Sequence, residues 1–178
     1  MMKRLIIVSV IVSLLITLCS CAEATASDLK FYVLNRELLS DSMNSSEIIK
    51  TAKKEGRLAF DGEDIISYNW QNHTVNLTKD AVGSVSATTL QSGGSSIFKV
   101  DDSFAFVLII GNKLIYTGGF TSGIKNPQIP LQPSIKDESR YSFSINFDSK
   151  YSEKKDNRQN KNLYNFLENQ GLLTTKKN

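Results

Sequence analysis

The sequence predicts an α+β fold, with a mostly antiparallel sheet of about six strands and two or three helices packed on one face. Short β-branched and aromatic runs recur along the chain with turn residues between them, which predicts strands joined by hairpins. Apolar residues at helical spacing are confined to a few short segments. A length of 178 residues suits one domain rather than two.

The first predicted elements are a strand and a helix. Residues 29–34 (LKFYVL) carry aromatic and β-branched side chains, which favours a strand. Asn44 can cap a helix, and Glu47, three positions on, completes a capping box. Gly56 follows the apolar stripe of this helix and predicts its end.

Two strands and a second helix are predicted next. Residues 64–70 (DIISYNW) and 74–78 (TVNLT) have the composition of strands and flank a short turn. Thr78 can then cap a helix over 79–90, although a glycine and many Ser and Thr residues weaken that helix.

The middle of the chain contains the clearest strand signals. The predicted strands are 96–100, 104–110 and 113–116, and the Gly-Asn pair at 111–112 predicts a tight hairpin between the last two. Residues 104–110 (FAFVLII) are apolar on both faces, which predicts a central strand. The loop that follows, 118–132, is rich in Pro and Gly, and loops of this length are often functional.

The last predicted elements are a half-exposed strand and a helix. Residues 140–147 (RYSFSINF) alternate between apolar and polar side chains, as in an antiparallel strand with one solvated face. Asp156 is expected to open a helix that reaches Gln170, where Gly171 ends it.

The charge of the chain argues against nucleic-acid binding. The chain has 21 Lys and Arg residues against 18 Asp and Glu residues, a net charge of +3. Without the first 20 residues, which hold Lys3 and Arg4, the excess falls to one positive charge. Nucleic-acid binding depends on neutralising phosphates with a basic surface. We therefore expect no nucleic-acid partner.

The N-terminus has the layout of an export signal. Lys3 and Arg4 precede an apolar run at 5–18, and small residues follow the run. The run is shorter than the roughly 20 residues that a membrane-spanning helix needs. Such a signal is compatible with plain secretion, with an uncleaved membrane anchor and with the lipid-anchored form that the next residues indicate.

A lipidation motif follows the apolar run. The residues Leu18-Cys19-Ser20-Cys21 resemble the lipobox of bacterial lipoproteins, in which the modified cysteine follows an aliphatic residue and two small ones. The resemblance implies cleavage before Cys21, a diacylglyceryl thioether on its sulfur, and a further acyl chain such as palmitate on its new amino group. Because two or more acyl chains anchor a protein stably, the expected location is the extracytoplasmic face of the cell membrane.

The lipoprotein interpretation sets the expected segment boundaries and implies that the folded domain has no free thiol. The expected segments are a signal peptide at 1–20, the lipidated cysteine and a short tether at 21–28, a single domain at 29–173 and a polar tail at 174–178. Because Cys19 leaves with the signal peptide and Cys21 becomes a thioether, the body holds no free cysteine. We expect neither thiol catalysis nor a cysteine-based metal site there.

The histidine and the acidic residues do not form a recognisable catalytic or metal-binding motif. The single histidine, His73, lies in a predicted turn, and a zinc site with one histidine is uncommon. Asp61, Glu63 and Asp101 belong to acidic clusters without the spacing of a calcium loop, which favours turns. We expect no metal, no cofactor and no enzyme activity. A hydrolase that uses carboxylates, with Asp61, Glu63 or Asp101 as the candidates, is the alternative.

Four aromatic residues form the candidate ligand site. Tyr68, Trp70, Tyr116 and Phe120 lie on or beside predicted strands, where they could frame a small groove. The alternative is that they belong to the core, where aromatic side chains contribute much of the packing.

Three central segments also resemble small exported bacterial proteins of no assigned activity. The residues that carry this resemblance are 64–68, 73–78 and 113–122. The resemblance implies export but no particular reaction. We expect a binding or interaction module whose partner, besides the membrane, is an envelope protein or a wall polymer. The alternatives are the carboxylate hydrolase and a structural or immunity-type envelope protein.

Overall fold

The computed structural model describes residues 24–82, 98, 103–120, 134–139, 141–147 and 156–175. The strands in these residues are β1 (Leu29–Asn35), β2 (Arg57–Asp61), β3 (Ile65–Asn69), β4 (Thr74–Leu77), β5 (Phe104–Ile110), β6 (Lys113–Phe120), β7 (Ser134–Ser139), β8 (Ser142–Asn146) and β9 (Leu173–Thr175). The helices are α1 (Ser45–Glu55), α2 (Lys161–Asn169) and the start of a further helix at 79–82. The nine strands form one sheet in the order β2-β1-β5-β6-β7-β8-β4-β3-β9.

The α+β class is confirmed, but the sheet is larger and more mixed than predicted. Nine described strands replace the expected six or so, and two of the eight pairings between them, β6–β7 and β3–β9, are parallel. The unpredicted strands are β2, β7 and β9. Their sequences lack a strand signal, because β2 (RLAFD) and β7 (SIKDES) carry charged residues and β9 has three residues.

The two helices α1 and α2 lie on opposite faces of the sheet, so the prediction of a single helical face was wrong. Phe31 of β1 joins the larger core, which also contains Leu163 of α2. The next residue, Tyr32, joins a smaller core with Ala52 of α1. Since β1 and β5 are buried at successive positions, both of their faces need cover.

The sheet curls until its two ends come close together. β2 is an edge strand and β3 lies next to the opposite edge, yet only the turn Gly62–Asp64 joins them. In a flat sheet, seven spacings of about 4.8 Å would separate these strands by about 34 Å, whereas the turn can span at most about 14 Å. The Phe143 ring of β8 accordingly lies 6.1 Å from the Phe31 ring and 5.8 Å from the Phe60 ring, centroid to centroid.

A capping box starts α1, as predicted. The Asn44 side chain accepts hydrogen bonds from the Ser46 and Glu47 amides, and the Glu47 carboxylate accepts one from the Asn44 amide. The helix ends before Gly56, whose amide donates to the Ala52 carbonyl. A side chain at this glycine would collide with the same carbonyl, which explains why the smallest residue follows the helix.

α2 begins at Lys161 rather than at Asp156, so the expected start of this helix was wrong. Asn160 accepts hydrogen bonds from the first amides of the helix and provides its cap. The Asp156 carboxylate pairs with Arg158 instead, which leaves residues 156–160 as a separate segment before the helix.

Several predictions concern residues outside the described ranges. They are the signal peptide, Cys21, Asp101, and most of the strand at 96–100, the helix at 79–90 and the loop at 118–132. Phe98 is described and is buried, and Thr78 caps the first helical residues at 79–82. Residues 118–120 belong to β6, and residues 174–175, assigned to the polar tail, belong to β9.

Candidate functional site

The four aromatic residues selected from the sequence are all buried. The exposed fraction is 2% for Tyr68, Trp70 and Tyr116, and 4% for Phe120. The Tyr68 ring contacts the Trp70 ring at 5.8 Å, and Tyr116 lies close to Tyr68. Phe120 belongs instead to a phenylalanine cluster, in which its ring lies 5.9 Å from that of Phe106. These side chains pack the core, and ligand binding by them stays a prediction.

The turn between β3 and β4 brings the single histidine into the core. His73 has a φ of 53°, in the left-handed region, and is 2% exposed. The Asn69 side chain accepts hydrogen bonds from the Gln71 and Asn72 amides, and the His73 carbonyl accepts one from the Ile145 amide. The predicted turn at His73 is confirmed, but its imidazole is buried rather than solvated.

His73 is the centre of a chain of hydrogen-bonding side chains, which we name the His73 relay: Trp70, Gln159, His73 and Tyr68. Trp70 Nε1 lies 3.0 Å from Gln159 Oε1, and Gln159 Nε2 lies 3.3 Å from His73 Nε2. His73 Nδ1 lies 2.9 Å from the Tyr68 hydroxyl. The relay therefore connects the β3–β4 turn to the segment before α2.

The chemistry of Trp70 sets the direction of each hydrogen bond in the His73 relay, as far as the Tyr68 oxygen. An indole N–H only donates, so Gln159 must turn its oxygen towards Trp70. The amide nitrogen of Gln159, which also only donates, then faces His73 Nε2. This ring nitrogen must accept, so the proton of the neutral imidazole is on Nδ1 and is donated to the Tyr68 oxygen.

Two charged residues hold the segment that carries Gln159. Arg158 Nη2 lies 2.7 Å from the Asp156 carboxylate, and Arg158 Nη1 donates to the Ile145 carbonyl at 3.0 Å. The Arg158 guanidinium also lies over the Phe147 ring, 5.9 Å from its centroid. The segment 156–160 is thus attached to β8 as well as to the β3–β4 turn.

Burial and the neighbouring charges shift the pKa of several groups at the site. Desolvation, together with the Arg158 charge, lowers the pKa of His73 to about 4. Burial raises the pKa of the Tyr68 and Tyr116 hydroxyls well above their ordinary range. Burial alone would raise the pKa of Asp156, but the hydrogen bonds and charge of Arg158 outweigh it and lower that pKa. At neutral pH the imidazole is therefore uncharged and both tyrosines keep their protons.

A small apolar cavity lies beside the relay. Its volume is about 20 Å³, and Tyr68 and Tyr116 form part of its wall. A volume of this size holds about one water molecule. Among the described residues, the Tyr116 hydroxyl has no partner at hydrogen-bond geometry, although Tyr68 lies near enough to influence its pKa.

Two of the acidic residues proposed for a hydrolase, Asp61 and Glu63, lie at the turn Gly62–Asp64, where Glu63 is exposed. Asp61 Oδ1 accepts a hydrogen bond from the Glu63 amide at 2.9 Å, and Asp64 Oδ2 accepts one from the Asp61 amide at 3.1 Å. Asp101 lies outside the described ranges. No group of three or more metal-ligating side chains comes together within those ranges.

The larger concavities of the described surface lie beside α1. One has a volume of about 440 Å³ and runs along the helix, and another of about 550 Å³ lies between its first turn and the β5–β6 hairpin. No residue of the His73 relay lines either of them. The larger concavities therefore do not coincide with the residues whose pKa values are shifted.

Sequence reasoning found Tyr68 and Trp70 but missed three residues around them. Gln159, Arg158 and Asp156 were assigned to a helix, and no local pattern marks an amide that bonds to a distant ring. The sequence contained one signal: His73 lies between two apolar strands, three positions after the only tryptophan.

Comparisons with protein-family models, with curated proteins and with solved structures found no match for this chain. In the described part of the chain, no helix is both long enough and apolar enough to cross a membrane.

Proposed function

We propose that this chain is a bacterial lipoprotein of the extracytoplasmic membrane face, and that its folded domain is a binding or interaction module. The observation that carries the proposal is the lipobox that ends in Cys21, directly after the apolar run at 5–18. The partner of the domain is an envelope protein or a wall polymer, because such components surround a domain anchored in this way.

The start of the fold supports a close anchor. Gln170 Nε2 donates to the Ala24 carbonyl at 2.8 Å, and Thr25 and Asp28 form a capping box. Contacts with the domain therefore begin three residues after Cys21, a stretch that spans at most about 11 Å. A domain lipidated at this cysteine would lie against the lipid surface and would meet its partners there.

The engagement of polar side chains supports binding rather than catalysis. A catalytic base must reach its substrate, directly or through one water. His73 is 2% exposed, and both of its ring nitrogens are within hydrogen-bonding distance of other side chains. Of the described acidic residues considered for a hydrolase, Asp61 bonds to the backbone of its own turn, whereas Glu63 is exposed.

Mass spectrometry of the native N-terminal peptide tests the anchor. We expect a peptide that begins with Cys21 and carries a diacylglyceryl group and an N-linked acyl chain. Cys21→Ser should abolish both modifications. Cys19→Ser is the matched control, since it keeps a small residue before Ser20 and should be lipidated normally. An unmodified Cys21 thiol or an intact leader in the unaltered chain would contradict the proposal.

Cross-linking in native membranes tests the interaction role. We expect the lipidated chain to capture one stoichiometric envelope component, and Cys21→Ser to lose it. A single protein partner would favour the structural or immunity-type role within this proposal, and a glycan would favour wall binding. Turnover of wall fragments by the full chain, lost in Asp61→Asn or Glu63→Gln, would establish the hydrolase alternative and overturn the module.

A further inference from the structure

We propose that the His73 relay is an acid-sensitive latch: when His73 gains a second ring proton, Gln159 releases the β3–β4 turn and the Trp70 indole opens to solvent. This device goes beyond the binding role and does not depend on the lipid anchor. It rests on the order of donors and acceptors along the relay.

All the hydrogen bonds of the His73 relay can form together only when the imidazole is neutral. A second proton would occupy His73 Nε2, so that two donors would face each other across the 3.3 Å that separates it from Gln159 Nε2. Gln159 cannot correct this by turning its amide, because its oxygen accepts the hydrogen bond from Trp70 Nε1. The protonated His73 Nε2 would be a buried donor without an acceptor, which is strongly unfavourable, whereas the exposed Gln159 amide can bond to water, so Gln159 leaves.

The groups that face His73 do not compensate for the added charge. Tyr68 on β3 and Tyr116 on β6 supply no negative charge, since burial raises the pKa of both hydroxyls. In the segment before α2, Arg158 disfavours a charged imidazole and Asp156 favours it. The effect of Arg158 on the pKa of His73 is the larger of the two, so the Asp156–Arg158 pair as a whole disfavours the charged imidazole.

The release is local because Gln159 lies outside the regular elements. It precedes α2, and the segment around it keeps the hydrogen bond from Arg158 to the Ile145 carbonyl. Trp70 keeps its edge-to-face contact with Tyr164 of α2, at 4.9 Å between centroids. The pKa of His73 is about 4 in the closed state, and opening moves it towards the ordinary histidine value of about 6.5. We therefore expect the latch to open in the pH range between these two values.

Fluorescence of the full chain tests the latch, because Trp70 is its only tryptophan. As the pH falls from neutral to 4, we expect a red shift of the emission and stronger quenching by acrylamide, while the far-UV circular dichroism stays constant. His73→Asn, which tolerates the left-handed backbone at this position, should remove the pH dependence. Gln159→Ala should show the acid-like emission already at neutral pH.

Asn165→Ala, at an exposed position of α2, is the matched control and should titrate like the unaltered chain. The proposal is overturned by a transition that persists in His73→Asn, by emission that stays constant down to pH 4, or by a change that coincides with loss of the circular dichroism signal. If His73→Asn does not fold, imidazole nitrogen NMR of the unaltered chain replaces it. A proton on Nε2 rather than Nδ1 at neutral pH would also overturn the proposal.

Discussion

The two buried tyrosine hydroxyls beside the cavity should contribute very differently to stability. Tyr68 and Tyr116 are each 2% exposed. The Tyr68 hydroxyl lies 2.9 Å from His73 Nδ1, whereas the Tyr116 hydroxyl has no partner at hydrogen-bond geometry among the described residues. Replacing either residue by Phe removes one oxygen and keeps the ring, so the two variants separate hydrogen bonding from packing.

The magnitudes follow from what each replacement leaves behind. Tyr68→Phe removes one hydrogen bond and strands the Nδ1 proton of His73 in the core, so we expect the free energy of unfolding to fall by about 2–3 kcal/mol. Tyr116→Phe removes a buried oxygen that has no partner at hydrogen-bond geometry among the described residues, although it lies near enough to the Tyr68 hydroxyl to influence its pKa. Its effect should therefore be much smaller than that of Tyr68→Phe, within about 1 kcal/mol of no change.

Urea unfolding of the full chain at neutral pH measures both values, with Trp70 fluorescence and circular dichroism as independent probes. The midpoints should differ between the two variants while the slopes stay equal, because the same surface is exposed on unfolding. Equal destabilisation by both replacements, or a larger loss from Tyr116→Phe, would refute the assignment of the hydrogen bond to Tyr68.

The remaining predictions concern the curl of the sheet, its joining turn and the ion pair before α2. Phe143→Ala removes a fully buried ring that meets Phe31 and Phe60 across the curl, and should lower the free energy of unfolding in urea by about 3–5 kcal/mol; a loss below about 1 kcal/mol would argue against the curled core. Gly62→Ala places a Cβ against the carbonyl oxygen of the 26–28 turn and should lower the thermal midpoint clearly, whereas an unchanged midpoint would show that the turn has room. The pKa of Asp156 is lower in the folded state than its ordinary value of 3.8, so its stabilisation is present above that pH and is lost as the pH falls below it. Asp156→Asn should therefore flatten the decline of the thermal midpoint below pH 4, and an unchanged decline would count against the ion pair.

Elements with nearby partners could be predicted from the sequence. The β5–β6 hairpin followed from two apolar runs and the Gly-Asn turn, where Gly111 adopts a φ of 59°. The start of α1 followed from Asn44 and Glu47, whose side chains and amides bond within one turn. In both cases the residues that define the structure are close in sequence, so the local pattern contains the information.

Features that depend on distant contacts could not be predicted. Gln159 lies 86 positions from His73, and nothing near either residue indicates that they meet. β2 buries only Ala59 and Phe60, so its place at the sheet edge depends on pairing with β1 rather than on its own pattern. The placement of α1 and α2 on opposite faces likewise depends on contacts with strands distant in sequence, which no single segment encodes.

The short link Gly62–Asp64 limits what the interior can receive. Because it joins β2, at one edge of the sheet, to β3, next to the other edge, these two ends of the sheet cannot move apart without breaking strand pairs. Among the described residues, the cavity beside the His73 relay has a volume of about 20 Å³, room for a single water and not for a sugar or a side chain from another molecule. For the proposed binding role, exposed apolar positions such as Leu58, Ile66 and Tyr141 are therefore the first to screen for contacts.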